Sequence, residues 1–380
     1  MSLNSPYFDK LRSRIRELGG MYNAHLHLDR SGTLSGQWLE TVQDDHPVAE
    51  SHLSLPSKHS LFSRIHEGSD FSRDNISRRV NYFLDAMVDA GTTRADTLVD
   101  VTADRVGLST MELMLEIKEE RKHEIDLHLG SYTPMGFIDA EPVRWQLMET
   151  GGEMADFLGS LPERDDWRLY PEHIGFKEHC KRLLTLGQRL SKPIQIHLDQ
   201  HNDPRENETE VFLEIVQKIG MPESRDGVPM VWIVHLISPS NYDQRRFESL
   251  IDELAALNIG VICCPSAALS MRQLRHLDSP TGNSIARVLD MIARGLQVRL
   301  GSDNIADICS PAGTPDLLDE LFVLCNALRF YDIDILAKLA AGLRISDEER
   351  RAVASHLEYD LAEVAAYLST PAAQRTAAGE

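Results

Sequence analysis

Short apolar runs, each about as long as a strand, recur along the chain and are separated by stretches whose apolar positions return at helical spacing. Eight such runs can be placed, over 21–29, 92–101, 124–133, 155–161, 194–200, 230–236, 260–266 and 298–304. Between them Val211, Phe212, Ile215, Val216 and Ile219 fall on one helical face with Gly220 as a stop, and Ile285, Val288, Leu289 and Ile292 do the same ahead of Gly295. Asp89-Ala90-Gly91-Thr92 and Asn258-Ile259-Gly260-Val261 repeat the order helix, glycine, strand, as a parallel sheet with helical crossovers requires. Eight units of this kind predict an α/β fold, a (β/α)8 TIM barrel.

The remaining segments are peripheral. Residues 31–75 carry His46, His52, His59 and His66 without clean periodicity. They read either as a lid inserted above the barrel or as a solvated insertion whose histidines bind nothing. Residues 311–368 are expected to form C-terminal helices, one capped by Thr314 and one opened by a capping box at Ser346-Asp347-Glu348-Glu349. The expected organisation is a single barrel domain over 1–368 and a disordered tail over 369–380. Only about twenty residues precede the first strand, so no accessory N-terminal β-domain is expected.

Composition narrows the class of partner. The chain has 380 residues, 42% of them hydrophobic, enough for a large core, and a formal net charge of -20. That charge would repel nucleic acid and anionic membranes, leaving a small-molecule substrate as the expected partner; a homo-oligomer is compatible with this class of barrel. Cys180, Cys263, Cys264, Cys309 and Cys325 are an odd set without CxxC spacing, which suits reduced thiols in a cytoplasm. The N-terminal segment has no apolar stretch resembling a signal peptide.

The polar residues that end the apolar runs carry the chemistry. His25 and His27 stand two apart, so on a strand they share a face and can reach one ion. His197 ends Pro193-Ile194-Gln195-Ile196, His235 ends Val231-Trp232-Ile233-Val234, and Asp303 follows Val298-Arg299-Leu300-Gly301-Ser302. Neutral imidazoles with a carboxylate suit one divalent metal ion, zinc or iron, that keeps a position for water. Active sites of (β/α)8 barrels lie at the C-terminal ends of the strands, where all of these residues fall.

With His25-Leu26-His27-Leu28-Asp29, Arg94-Ala95-Asp96 through Val99-Asp100-Val101, His197-Leu198-Asp199-Gln200, His235 and Gly301-Ser302-Asp303-Asn304 in this order, the chain resembles the amidohydrolase superfamily, and within it the cytosine deaminase group, over about residues 21–330. The resemblance implies that His25, His27, His197 and Asp303 ligate one metal. It further implies that His235 orients the attacking water and that Asp303 takes its proton. Two-metal relatives use a strand 4 lysine; here no lysine lies between Lys122 and Lys177, which favours a single metal. Where the deaminases carry a glutamate three residues after the strand 5 histidine, this chain has Gln200, which can hydrogen-bond but cannot donate and recover a proton as an acid does. His201 or a substrate group is an alternative source of the acid. Ser131-Tyr132-Thr133-Pro134-Met135-Gly136 lacks the glutamine that reads cytosine, and Cys309 falls where a tryptophan would pack, so cytosine is not the expected substrate.

Arg94 and Asp96 read as a structural ion pair, and Cys263 and Cys264 as buried packing residues. The resulting expectation is a metal-dependent amidohydrolase acting on a C–N bond of a small cyclic or amide-bearing molecule, with Asp303, His235 and Gln200 in its catalytic site. The alternatives are a deaminase of another heterocycle and a catalytically silent metal-barrel that binds a ligand.

Overall fold

The computed structural model describes residues 5–33, 53–224, 226–271, 273, 276 and 283–370. Its eight strands are β1 (Met21–Leu26), β2 (Thr92–Asp100), β3 (Asp126–Tyr132), β4 (Phe157–Ser160), β5 (Ile194–Leu198), β6 (Val231–His235), β7 (Gly260–Cys263) and β8 (Val298–Leu300). They pair in chain order and all in parallel, with helices between them, as a (β/α)8 barrel requires. A bridge between Leu26 and Asp303 joins the last strand to the first. Gly301 permits that approach: a Cβ there would stand 2.6 Å from the His25 carbonyl oxygen.

All eight expected strands are present, and several stop early because their last residues leave the ladder for the mouth loops. His27 follows β1, Leu28 and Asp29 lie in a turn, and Gln200 and Asp303 follow their strands. The helices of the described residues are α1 (Pro6–Glu17), α2 (Leu55–His59), α3 (Phe62–Glu67), α4 (Arg73–Ala90), α5 (Ser109–Arg121), α6 (Val143–Met154), α7 (Phe176–Leu190), α8 (Glu208–Ile219), α9 (Gln244–Ala256), α10 (Pro265–Ser270), α11 (Val288–Ala293), α12 (Leu317–Leu328), α13 (Ile333–Ala340) and α14 (Asp347–Leu368).

Two helix expectations need correction. The run beginning at Ile285 becomes helical only at Val288, because Ser240 Oγ holds the Ile285 carbonyl and Asn283 Nδ2 binds the carbonyls of Ala268 and Leu269; Ile285 is buried from extended chain. α12 is capped by Asp316, whose side chain accepts from the Leu318 N–H, and the Thr314 hydroxyl donates instead to Asp319. The capping box of Ser346 and Glu349 is present at the start of α14.

Of the first loop, His46 and His52 lie outside the described residues. The solvated reading fails for the rest, since His59 and His66 are buried. In the expected tail, the Ser369 and Thr370 N–H groups donate to the carbonyls of Ala365 and Tyr367; 371–380 lie outside the described residues. No described helix is long and apolar enough to cross a membrane.

The floor of the barrel, at the N-terminal strand ends, is closed by one polar cluster. Tyr22 donates to Asp96 at 2.5 Å, Arg94 Nε donates to Asp96 at 3.3 Å, and Arg299 Nη1 donates to the Tyr22 hydroxyl at 3.2 Å. Arg299 also stacks on Trp232 at 3.8 Å and Arg94 on Tyr22 at 4.3 Å. Arg94 and Asp96 therefore belong to a structural ion pair. Cys263 and Cys264 are buried, with their thiols pushed up by desolvation.

Candidate metal centre

Side-chain alternation along β1 places Asn23 and His25 on one face, with His27 one residue past the strand end, and along β5 it places Gln195 with His197. These residues converge at the mouth with Asp303. His25 Nε2 and His197 Nε2 lie 3.2 Å apart, and Asp303 Oδ1 is 3.6 Å from His25 Nε2 and 3.4 Å from His27 Nε2. His235 Nε2 stands 3.8 Å from Asp303 Oδ2. Every one of these side chains is buried. His25, His27 and His197 each offer a nitrogen to one point, as metal ligands do.

Neighbouring groups set the tautomers of two of the imidazoles. His25 Nδ1 lies 2.8 Å from Gln195 Oε1, and His197 Nδ1 lies 2.8 Å from the Ser160 carbonyl; both partners accept, so each Nδ1 carries a proton, and in the neutral form of each ring Nε2 is bare. Gln195 is itself fixed by donating from Nε2 to the Ala24 carbonyl. Two bare nitrogen lone pairs facing each other at 3.2 Å repel unless a cation lies between them, so the donor set fits a divalent metal. His27 is the exception: the Arg30 guanidinium abuts its Nδ1, and that neighbour does not leave its Nε2 bare.

Electrostatics agree with a cation site. Burial lowers the His27 imidazole to about 3 and the His235 imidazole to about 4; burial with the surrounding imidazoles drives His197 well below the usual histidine range. Burial alone would raise Asp303, but its contacts with His25 and His27 hold it well below the usual carboxylate range. His27, His197 and His235 are thus neutral beside an ionised Asp303 at neutral pH. Asn304 Nδ2 donates to Asp303 Oδ1 at 2.9 Å, and Asn23 grips Ser302 through both its oxygen and its nitrogen. His235 and Asp303 have positive φ values of 78° and 59°, a strained backbone that the surrounding bonds must sustain.

A cavity of about 380 Å³ opens beside these residues, lined by His27, His197, His235 and Asp303 on one wall and by Arg30, His59, Tyr132, Gln200, Asn304 and Cys309 elsewhere. The structure thus brings all six sequence-predicted site residues, His25, His27, His197, Gln200, His235 and Asp303, to this end of the barrel. Gln200 is buried and its Nε2 has no partner among the described residues. His201 is turned elsewhere: its Nε2 lies 2.7 Å from Glu163 Oε2, so it does not supply an acid to the cavity directly. β4 carries no lysine, and Lys177 lies in α7.

Sequence reading missed Gln195, which the two-residue period would have placed beside His197, and it missed His59 and Glu163, which no motif marks. Arg30 adjoins the first motif, yet its role needs the fold. It pairs with Asp100 at 3.4 Å, and His66 binds the same carboxylate at 3.1 Å. Asp100 and Asp104 hold His66 up at about 9 despite its burial, so the first loop is fastened to the end of β2 by charge.

No family model matches the chain. An uncharacterized protein of Haemophilus influenzae is 26% identical over 285 residues, which is 74% of this chain and 94% of that protein. Among solved structures, the 5-methylcytosine deaminase of Klebsiella pneumoniae with bound 5-fluorocytosine aligns at TM-score 0.69 and 22% identity, over 84% of this chain and 74% of that one. The N-isopropylammelide isopropylaminohydrolase of Burkholderia multivorans aligns at TM-score 0.62 and 18% identity over 89% and 82%. Guanine deaminase of C. acetobutylicum aligns at TM-score 0.52 and 15% identity over 87% and 70%. At these identities the likeness is one of fold.

Proposed function

We propose that this chain is a mononuclear metal-dependent hydrolase of the amidohydrolase type that cleaves a C–N bond of a small cyclic or amide-bearing molecule. The observation that carries the reading is the pair of bare Nε2 atoms of His25 and His197 at 3.2 Å beside the buried Asp303 carboxylate. His25, His27, His197 and Asp303 would hold the ion, zinc or iron. When bound, that ion supplies Lewis acidity, lowering the pKa of water and polarising the electrophile.

The chain's own residues do the rest. Asp303, ionised and oriented by Asn304, accepts a proton on the carboxylate oxygen that faces His235. His235, neutral at working pH, donates a hydrogen bond to the oxygen on which charge develops. Gln200 presents an amide N–H to the ligand in a position where an acid would serve ring deamination, which favours substrates whose leaving nitrogen needs no second acid. The solved neighbours named as deaminases and hydrolases support the same class of chemistry.

The test is elemental analysis of purified protein beside its His25→Ala variant, followed by ammonia and product detection over a panel of cyclic amides and aminated heterocycles. About one zinc or iron per chain, lost in the variant, with turnover of a panel member is the expected result. A wild-type chain that is metal-free and cannot be reconstituted would sink the hydrolase and leave a ligand-binding barrel.

A further inference from the structure

Glu163, on the short turn that follows β4, divides its two oxygens between two histidines. Its Oε2 lies 2.7 Å from His201 Nε2. Among the described residues its Oε1 has no hydrogen-bond partner within bonding geometry and faces His59 Nδ1 at 4.0 Å, and that nitrogen is also unpartnered there. Both side chains are buried, and the His59 ring stacks on Phe62 with centroids 5.5 Å apart. His59 lines the cavity beside Gln200, whose Nε2 is a third polar atom without a partner.

Resting on the reading of this cavity as the substrate site, we propose that His59 reads the substrate through a bare Nε2, that Glu163 is the positioning residue that keeps the ring proton on Nδ1, and that the ligand is an uncharged amide, lactam or cyclic ureide.

The charge states make the tautomer follow. Burial keeps His59 neutral, down at about 3. Burial would raise Glu163, but His201 beside it outweighs that and pulls it down to about 2, while His201 itself rises to about 10. A neutral imidazole whose Nδ1 faces a carboxylate carries its proton on that nitrogen, and Nε2 is left as an acceptor. Among the groups of the cavity wall are then an acceptor, His59 Nε2, and a donor, Gln200 Nε2. A ligand that satisfies both presents an N–H near a C=O or ring nitrogen. A carboxylate ligand would meet a lone pair with the Glu163 charge behind it, and is disfavoured.

Nitrogen-15 NMR of histidine-labelled full-length protein, with His59 assigned through His59→Gln, reads the tautomer directly. Wild type should show Nδ1–H, and Glu163→Gln should lose that preference without loss of fold. An Nε2–H ring in wild type, or an unchanged ring in Glu163→Gln, overturns the positioning role. Dihydrouracil, a cyclic ureide, should move the His59 Nε2 signal, its 1,3-dimethyl derivative should not, and His59→Leu should weaken dihydrouracil binding about tenfold. No response of that signal to dihydrouracil overturns the ligand assignment. Because the tautomer is read without turnover, a metal-free chain with an Nδ1–H His59 would sink the hydrolase and leave the positioning role standing.

Discussion

The two ends of the barrel use the same kinds of polar residue in opposite ways. On the floor, Tyr22, Asp96, Arg94 and Arg299 face one another, and their hydrogen bonds close on themselves. At the mouth, His59 Nδ1, Glu163 Oε1, Gln200 Nε2, His235 Nδ1 and Asn304 Oδ1 are buried with no partner among the described residues. An unpaired buried polar group costs roughly 1–3 kcal/mol, so the mouth gives up stability that the floor does not. A polar cluster satisfied within the fold reads as architecture; one left open reads as a site awaiting its ligands.

Four substitutions would sharpen or break this contrast. Asp303→Asn should lower turnover by about 10³-fold or more and weaken metal binding, with circular dichroism showing the fold intact. Unchanged turnover would end its role as base. Asp96→Ala on the floor strips Tyr22 and Arg94 of their acceptor and should cost roughly 2 kcal/mol in denaturant titration, with metal content per folded chain unaltered. Metal loss there would mean that the two ends are not independent.

His201→Gln changes a pH profile. His201 is raised to about 10 by Glu163 with help from Glu206, so its contribution is complete below its unfolded value near 6.5 and is lost as pH rises toward 10. Glu163, depressed to about 2, contributes above its unfolded value near 4.5 and loses that contribution as pH falls toward 2. Wild type should therefore lose stability between about pH 6.5 and 10 more steeply than His201→Gln, measured by thermal melts across that range. Parallel curves would refute the pair. The smallest effect belongs to Gln200→Glu, which restores an acid and should raise deamination of an aminated heterocycle by about tenfold or less, read as ammonia release. No rise would mean that the rest of the pocket has diverged as well.

Most of the barrel was legible in the sequence because apolar runs and glycine stops are local signals. The candidate site was legible because His25, His27, His197, His235 and Asp303 each sit at or just past the end of such a run. Helix starts were less so: Ile285 has helical spacing but lies outside the helix, held by Ser240 and by neighbouring Asn283, which is itself tied to the distant Ala268 carbonyl. His59 and Glu163 could not be paired from sequence, since only the fold brings the first loop against the turn after β4. Their chemistry lies in which oxygen is already taken, and no spacing rule encodes that.

The approach of Gly301 to His25 carries a last consequence. The main chain joins β8 to β1 there through a short bridge, with the Asp303 N–H donating to the His25 carbonyl at 3.0 Å. If, as proposed, His25 and Asp303 also hold the same ion, a bound metal would act as a cross-link between the first and last staves of the barrel, shrinking the ensemble of the open chain as a covalent tie across a long loop does. Chelation should then speed amide hydrogen exchange at Asp303 well before it is felt at β3, making the metal a clasp as well as a reagent.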